Sequence, residues 1–161
     1  MVGRIFADSP VGLLLITSEN GFLTGVQPAE KVVGDIRRDD AASEAERQLD
    51  EYFSGVRKSF DLPIKLYGTD FQRAVLEELT KIPFGETRSY GDIAVAVGNP
   101  KAYRAVGNAV GRNPLLIIVP CHRVISGNGG IGGFSADMNI KKYLLNFEQE
   151  TEQVTHCSWS G

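Results

Sequence analysis

Nearly all the nucleophilic and metal-binding potential of this 161-residue sequence lies in two short clusters. Cys121 stands between Pro120 and the pair His122-Arg123, and Cys157 follows His156; the chain has no other cysteine or histidine. The thiolate, rather than the thiol, is the nucleophile, so a cysteine reacts where something favours loss of its proton. A histidine and an arginine beside Cys121 favour the ionised form. The apolar run Leu115-Leu116-Ile117-Ile118-Val119 reads as a buried strand, and a cysteine just past its end is rigidly held. The competing reading is a small buried apolar side chain, a common fate of free cysteines. A Cys-His hydrolase is a further alternative. Adjacent side chains in a strand face opposite ways, so His122 reaches Cys121 only if the backbone turns there. No oxyanion donor can be picked out from the residues. Zinc is not expected, because adjacent Cys-His pairs lack the usual two-residue spacer, and no cofactor is called for. The segment Met1–Asp8 turns polar too soon for a signal peptide, so a cytoplasmic protein with two thiols is expected.

Net charge is −3, which argues against a nucleic-acid partner until the charges are placed. Residues 1–68 carry net −3, residues 69–148 net +2, and residues 149–161 net −2. The 44 residues from Ile93 to Ala136 hold no carboxylate, yet include Lys101, Arg104, Arg112 and Arg123. A polyanion repels surface carboxylates, so this stretch reads as a docking face for DNA. It reads equally as a buried Gly/Ala-rich segment that excludes acids because they are costly to bury. Charge alone leaves both open.

The elements that must carry these residues follow from periodicity and turn chemistry. Arg4–Ala7, Leu13–Thr17 and Phe22–Val26 read as strands, with Asn20-Gly21 a two-residue hairpin turn. Residues 28–40 read as loop, Ala41–Phe53 as helix, and Pro63–Gly68 as linker. Thr69 and Gln72 predict a capping box at the start of a helix running to Pro83. Tyr90–Val97 and Lys101–Gly111, joined by Gly98-Asn99-Pro100, predict a helix-turn-helix. Its second helix is smooth, with Ala102, Ala105, Gly107, Ala109 and Gly111, and Arg104 projects from it. A Gly-rich loop, Gly127–Ser135, lacks any phosphate-loop fingerprint and reads as a pocket wall. Met138–Phe147 predicts a last helix burying Ile140, Leu144 and Leu145, followed by a loose polar tail. The layout is α+β: an N-terminal β-rich scaffold (1–66), a mainly helical C-terminal domain (69–150) and a tail (151–161). No membrane span is expected.

Ile117–Ile125, with Pro120-Cys121-His122-Arg123 at its centre, resembles the active-site signature of the 6-O-alkylguanine-DNA alkyltransferases. Ser89–Ala94, Gly98–Ala102, Arg104–Gly107, Asn113-Pro114 and Lys141–Leu145 fall in that family's order. The resemblance is strong over residues 69–148; residues 1–68 match only in layout, which in that family is ribonuclease H-like. It implies direct-reversal DNA repair: docking of the helix-turn-helix in the minor groove of double-stranded DNA, flipping of an alkylated guanine, and irreversible transfer of the alkyl group to a cysteine. A flipped base suits chemistry on an atom buried in the stack. Carried over by position, Cys121 is the acceptor, His122 the base acting through a water, Glu148 the carboxylate orienting His122, and Tyr90 the proton donor to the leaving guanine. Arg104 fills the gap in the stack, with Lys101, Ala102 and Gly107 on the docking helix. Asn113 braces the link to the active site, and Val124, Phe134 and Ser135 belong to the pocket. 4-O-alkylthymine is a weaker expected substrate. A monomer is expected, with cooperativity along DNA left open.

Two departures stand out. Phe134-Ser135-Ala136-Asp137 replaces the family's common Tyr-Ser-Gly-Gly, which alters pocket width. Residues 1–68 contain no Cys or His, so the N-terminal zinc site of some members is absent. The related alkyltransferase-like proteins bind lesions without repairing them and carry tryptophan where Cys121 stands. A lesion-binding module and a Cys-dependent hydrolase or redox protein without a DNA role remain the competing classes.

Overall fold

The structure, a computed structural model, describes residues 2–126 and 138–160, with side chains through residue 153. The chain divides into two compact units, residues 1–67 with 114–118, and residues 68–113 with 119–161.

In the first unit β1 (Val2–Ser9), β2 (Gly12–Glu19) and β3 (Phe22–Pro28) form an antiparallel sheet in sequence order. Asn20 and Gly21 both adopt positive φ, 52° and 85°, and Glu19 pairs Phe22, so the predicted two-residue turn is the one that forms. The expected strands each extend by a residue or more at one or both ends. Pairing jumps from Thr17–Gly25 to Ser18–Leu23, leaving Thr24 as a bulge. Ile5, Leu14, Ile16 and Leu23 alternate inward along the strands and meet the buried face of α1 (Asp40–Phe53), which carries Ala42, Ala45, Leu49 and Tyr52. Asp39 caps α1 by accepting from Ala42 N–H, and also accepts from Ser18 Oγ at 2.5 Å. Pro63–Lys65, expected as linker, instead lies against β3: Leu23 N–H donates to Pro63 O and Lys65 N–H to Leu23 O.

The run Leu115–Val119 is not a strand. Only Leu115 forms a bridge, parallel to Val26. Ile118 N–H then bonds Leu116 O at 2.8 Å across Ile117, whose φ is +73°, a γ-turn on a β-branched residue. Such a residue rarely enters this region, at a cost of about 1–3 kcal/mol. The apolar composition reported burial, and all five residues are buried, but burial does not distinguish a strand from a compact turn.

In the second unit, α2 (Asp70–Leu79) is capped by Thr69 Oγ1 accepting from Gln72 N–H. A reciprocal capping box occurs instead between Ser89 and Asp92, at the start of α3 (Tyr90–Ala96). Residues 97–102 connect α3 to α4 (Tyr103–Gly111), giving the expected helix-turn-helix with a later second start. Two-residue strands β4 (Arg88–Ser89) and β5 (Val124–Ile125) pair in parallel. The last helix, α5 (Met138–Ser160), runs well past the expected end at Phe147. Residues 148–160 contain neither Gly nor Pro, so nothing in the sequence breaks the helix. No helix among the described residues is long and apolar enough to cross a membrane.

Candidate active site

The backbone turns twice on its way into the reactive cluster. Pro120 sits at φ −80° and ψ 67°, and Cys121 N–H donates to Val119 O at 2.8 Å, an inverse γ-turn. A 3-10 turn, Cys121–Arg123, follows directly. The reversal needed to bring His122 towards Cys121 is therefore built into the chain. Asn113, two residues beyond α4, donates from its amide to the same Val119 carbonyl at 2.8 Å, tying the end of the helix to the start of the turn.

Cys121 is 1% exposed, and burial pushes its thiol pKa up. A hydrogen bond from Asn113, the Lys141 charge and nearby backbone N–H groups pull the other way without overcoming it. Burial thus outweighs the neighbouring groups that favour the ionised form. The resting group is a thiol.

His122 and Glu148 are equally buried. His122 Nε2 lies 2.6 Å from Glu148 Oε2. Burial lowers the pKa of His122, so the ring is neutral at pH 7 despite the opposing pull of Glu148. Nε2 then carries the proton and donates it to the carboxylate, leaving Nδ1 as the basic nitrogen. Nδ1 has no hydrogen-bond partner among the described residues. Burial would raise the pKa of Glu148, but its hydrogen bonds to His122 and Arg123 and the guanidinium charge outweigh that and keep it ionised.

Arg123 grips the same carboxylate from a second side. Its Nε and Nη2 donate to the two Glu148 oxygens at 2.8 and 2.9 Å, and Nη1 donates to Ile82 O at 2.7 Å. Gly85 N–H adds a fourth donor to the carboxylate. Arg123 is almost fully buried, so it belongs to the site and not to a docking face. Of the four cations in the acid-free stretch, Lys101, Arg104 and Arg112 are exposed. Arg104 and Asn108 share one outward face of α4, and Arg112, its C-cap, follows at the same four-residue spacing. Ala102 precedes α4. Gly107 is half-buried, and a β-carbon placed on it would lie 3.9 Å from the Tyr90 ring. α4 and Tyr90 are therefore neighbours.

Tyr90 opens α3, and the β4–β5 pairing sets its neighbour Ser89 beside Ile125. Burial raises its pKa, and the nearby Cys121 adds to the shift. Val124 is fully buried, and its carbonyl accepts from Lys141 Nζ at 2.7 Å. Phe134 and Ser135, with the rest of the Gly-rich loop, lie outside the described residues.

Lys141 was not among the expected site residues. The signal was present: Lys141, Leu144 and Glu148 fall at i, i+3 and i+7, one buried stripe of α5, and a lysine and a glutamate on such a stripe are rarely there for packing. Leu145, expected inside, is only half-buried.

The buried triad makes stability sensitive to acid. The folded pKa of His122 lies below 6.5, so as pH falls the unfolded chain takes that proton first and stability drops. Glu148, held below 4.5, contributes stability above that pH and loses it on further acidification. Urea midpoints should therefore fall steadily from about pH 7 to about pH 4. A flat profile over that window would contradict the assigned charge states.

Residues 70–150 match the family described as 6-O-methylguanine DNA methyltransferase, DNA binding domain, and residues 3–66 match its ribonuclease-like domain. The methylated-DNA–protein-cysteine methyltransferase of Methanosarcina barkeri is 47% identical over 148 residues, covering 88% of this chain and 94% of that one. The constitutive enzyme of Bacillus subtilis is 45% identical over 153 residues, covering 89% and 93%. Among solved structures, the Mycobacterium tuberculosis O6-methylguanine methyltransferase superposes with a TM-score of 0.85 at 42% identity, covering 94% of each chain. A structure of the M. tuberculosis protein in complex with DNA gives 0.83 at 43%, covering 93% of each.

Proposed function

The chain belongs to the 6-O-methylguanine DNA methyltransferase family and is a direct-reversal DNA repair protein, and we propose that Cys121 is the atom that takes the alkyl group, once per molecule. The observation that carries this reading is the arrangement around Cys121: a neutral His122 with Nε2–H committed to Glu148 and Nδ1 left as a base, in the turn that holds the thiol.

The reaction follows from these groups. His122 Nδ1 accepts the thiol proton, directly or through one water, while Cys121 Sγ attacks the sp³ carbon of a 6-O-alkylguanine. The S–C bond forms as the C–O bond breaks, and the electron pair leaves on the guanine. An anionic base is a poor leaving group, so a proton delivered by Tyr90 lowers the barrier. The product is a thioether, which is stable towards hydrolysis, so each molecule reacts once and is consumed.

The partner is DNA. The exposed face of α4 suits docking of a duplex, with Lys101 and Arg112 at phosphates and Arg104 in the gap left by a flipped guanine. Asn113 joins that helix to the Cys121 turn. For the Arg104→Ala variant, reaction with alkylated duplex should slow at least tenfold more than reaction with the free alkylated base. Equal loss on both substrates would remove Arg104 from the flipping step.

The direct test is mass spectrometry after incubation with a duplex containing 6-O-methylguanine. One methyl group should appear on the peptide containing Cys121. An unmodified protein still bound to the lesion would make it a damage-binding module, and turnover of a small ester unaffected by DNA would make it a hydrolase.

A further inference from the structure

Docking and alkyl transfer leave one large side chain of α4 without a role. Tyr103 opens that helix and is 54% exposed. The other exposed residues of α4 are charged, polar or small: Arg104, Ala105 and Asn108. Among the described residues no hydrogen bond or ring contact holds the Tyr103 side chain, so the fold gains little from it. A single exposed aromatic is ordinary on a surface that faces only water. This one adjoins Arg104, in a first helical turn that carries no acid and whose N-cap, Ala102, offers no side-chain acceptor. A turn of that kind suits a phosphate-rich partner better than bare solvent.

We propose that Tyr103 is a second insertion residue: its ring packs against the lesion-strand nucleotide beside the flipped guanine and holds that strand open. The proposal rests on the reading of α4 as the docking helix and of Arg104 as the residue in the gap. Removing a guanine from the stack uncovers its neighbours. A slender guanidinium in the vacancy leaves part of the adjacent base and its sugar bare, and an aromatic ring beside it covers them. Minor-groove proteins often place an apolar wedge at an opened step. Every base has a π-face, so such a contact tolerates any neighbouring sequence. The contact forms only after the guanine has left, so it favours the flipped state over the stacked one.

Helix geometry assigns the strand. Successive residues point about 100° apart, so Tyr103 and Arg104 cannot fill the same gap. Tyr103 stands instead in line with Gly107 and Gly111, at four-residue spacing. Gly107 marks the flank of α4 that faces Tyr90, because a β-carbon there would lie 3.9 Å from the Tyr90 ring. The guanine leaves the duplex towards Tyr90 and Cys121, so this flank meets the strand it leaves. Gly107 and Gly111 put no side chain on that line. Of the three, only Tyr103 can reach a base or a sugar.

The test measures single-turnover alkyl transfer to Cys121 in Tyr103→Ala, Tyr103→Phe and Arg104→Ala. Tyr103→Ala should slow reaction with a duplex containing 6-O-methylguanine about tenfold more than reaction with free 6-O-methylguanine. Tyr103→Phe keeps the ring and should recover most of that loss. Two further duplexes carry an abasic site in the lesion strand, one 5′ and one 3′ of the lesion. In one of them the penalty for Tyr103→Ala should shrink to less than about threefold, because the base it covers is gone. Abasic sites opposite those two positions should leave the penalty in place. A penalty that survives both lesion-strand abasic sites would overturn the proposal, as would one removed only by an abasic site in the opposite strand. Equal slowing of Tyr103→Ala on duplex and free base would overturn it too, and so would failure of phenylalanine to recover the loss. If Arg104→Ala also slows both substrates equally, the reading of α4 as the docking helix falls. If Arg104→Ala is duplex-specific and Tyr103→Ala is not, the role of Tyr103 alone is rejected.

Discussion

Cys121→Ala abolishes alkyl transfer while the protein still binds alkylated duplex. This is the expected result because no described residue can take over as acceptor: Cys121 is the free cysteine of the described core, and His122 is committed through Nε2 to Glu148. The substitution removes one buried sulfur, a cavity costing on the order of 1 kcal/mol, so the fold and the exposed face of α4 survive. Transfer is read as the mass of the protein after incubation with alkylated duplex, and binding as a shift of labelled duplex. Residual alkylation of the intact variant would move the acceptor elsewhere. Loss of binding together with transfer would mean that Cys121 holds the DNA-binding unit together.

The second large effect is on stability. Arg123→Leu should lower unfolding free energy by about 3–5 kcal/mol, because it leaves the Glu148 carboxylate buried without its bidentate partner. It also strands the Ile82 carbonyl, which accepts from Nη1. Relieved of the guanidinium, Glu148 would protonate more readily and hold His122 less firmly, so transfer should slow in whatever fraction folds. Arg123→Lys should not rescue it, since a single ammonium cannot span both carboxylate oxygens. Urea unfolding measures the loss, and a change under about 1 kcal/mol would mean that Glu148 is held by His122 and Gly85 alone.

How much could be read in advance depended on whether the signal was local. Asn20-Gly21 dictates its turn through two backbone conformations, and the hairpin follows. The helix-turn-helix was legible because Gly98 and Pro100 interrupt two periodic segments. The Pro-Cys-His-Arg cluster announced its chemistry through residue type. What was misread needed three-dimensional partners. Leu115–Val119 was apolar enough for a strand, but its neighbours take only one ladder position and the rest is turn. Arg123 looked like a surface cation because Glu148, its partner, is 25 residues away. Lys141 is legible only as part of a motif, since nothing near it in sequence shows that its amine meets Tyr90, 51 residues earlier. The tail beyond Phe147 looked loose because it is polar, yet polarity is no obstacle to an exposed helix.

The path of the backbone between α4 and Cys121 bears on how this molecule can vary. Pro114–Ile118 leave the helical unit to complete the first one, bonding to Val26 on both sides, and the chain returns at Val119, only two residues before Cys121. The two units are therefore not beads on a string, separable by one cut near residue 67. A fragment beginning at Gly68 would carry Leu115, Leu116, Ile117 and Ile118 without the rest of the unit to which they belong, immediately upstream of Cys121. Insertions and exchanges that preserve the protein are confined accordingly. Removing the β-rich third would also remove the partners of Pro114–Ile118, the segment that leads to Cys121.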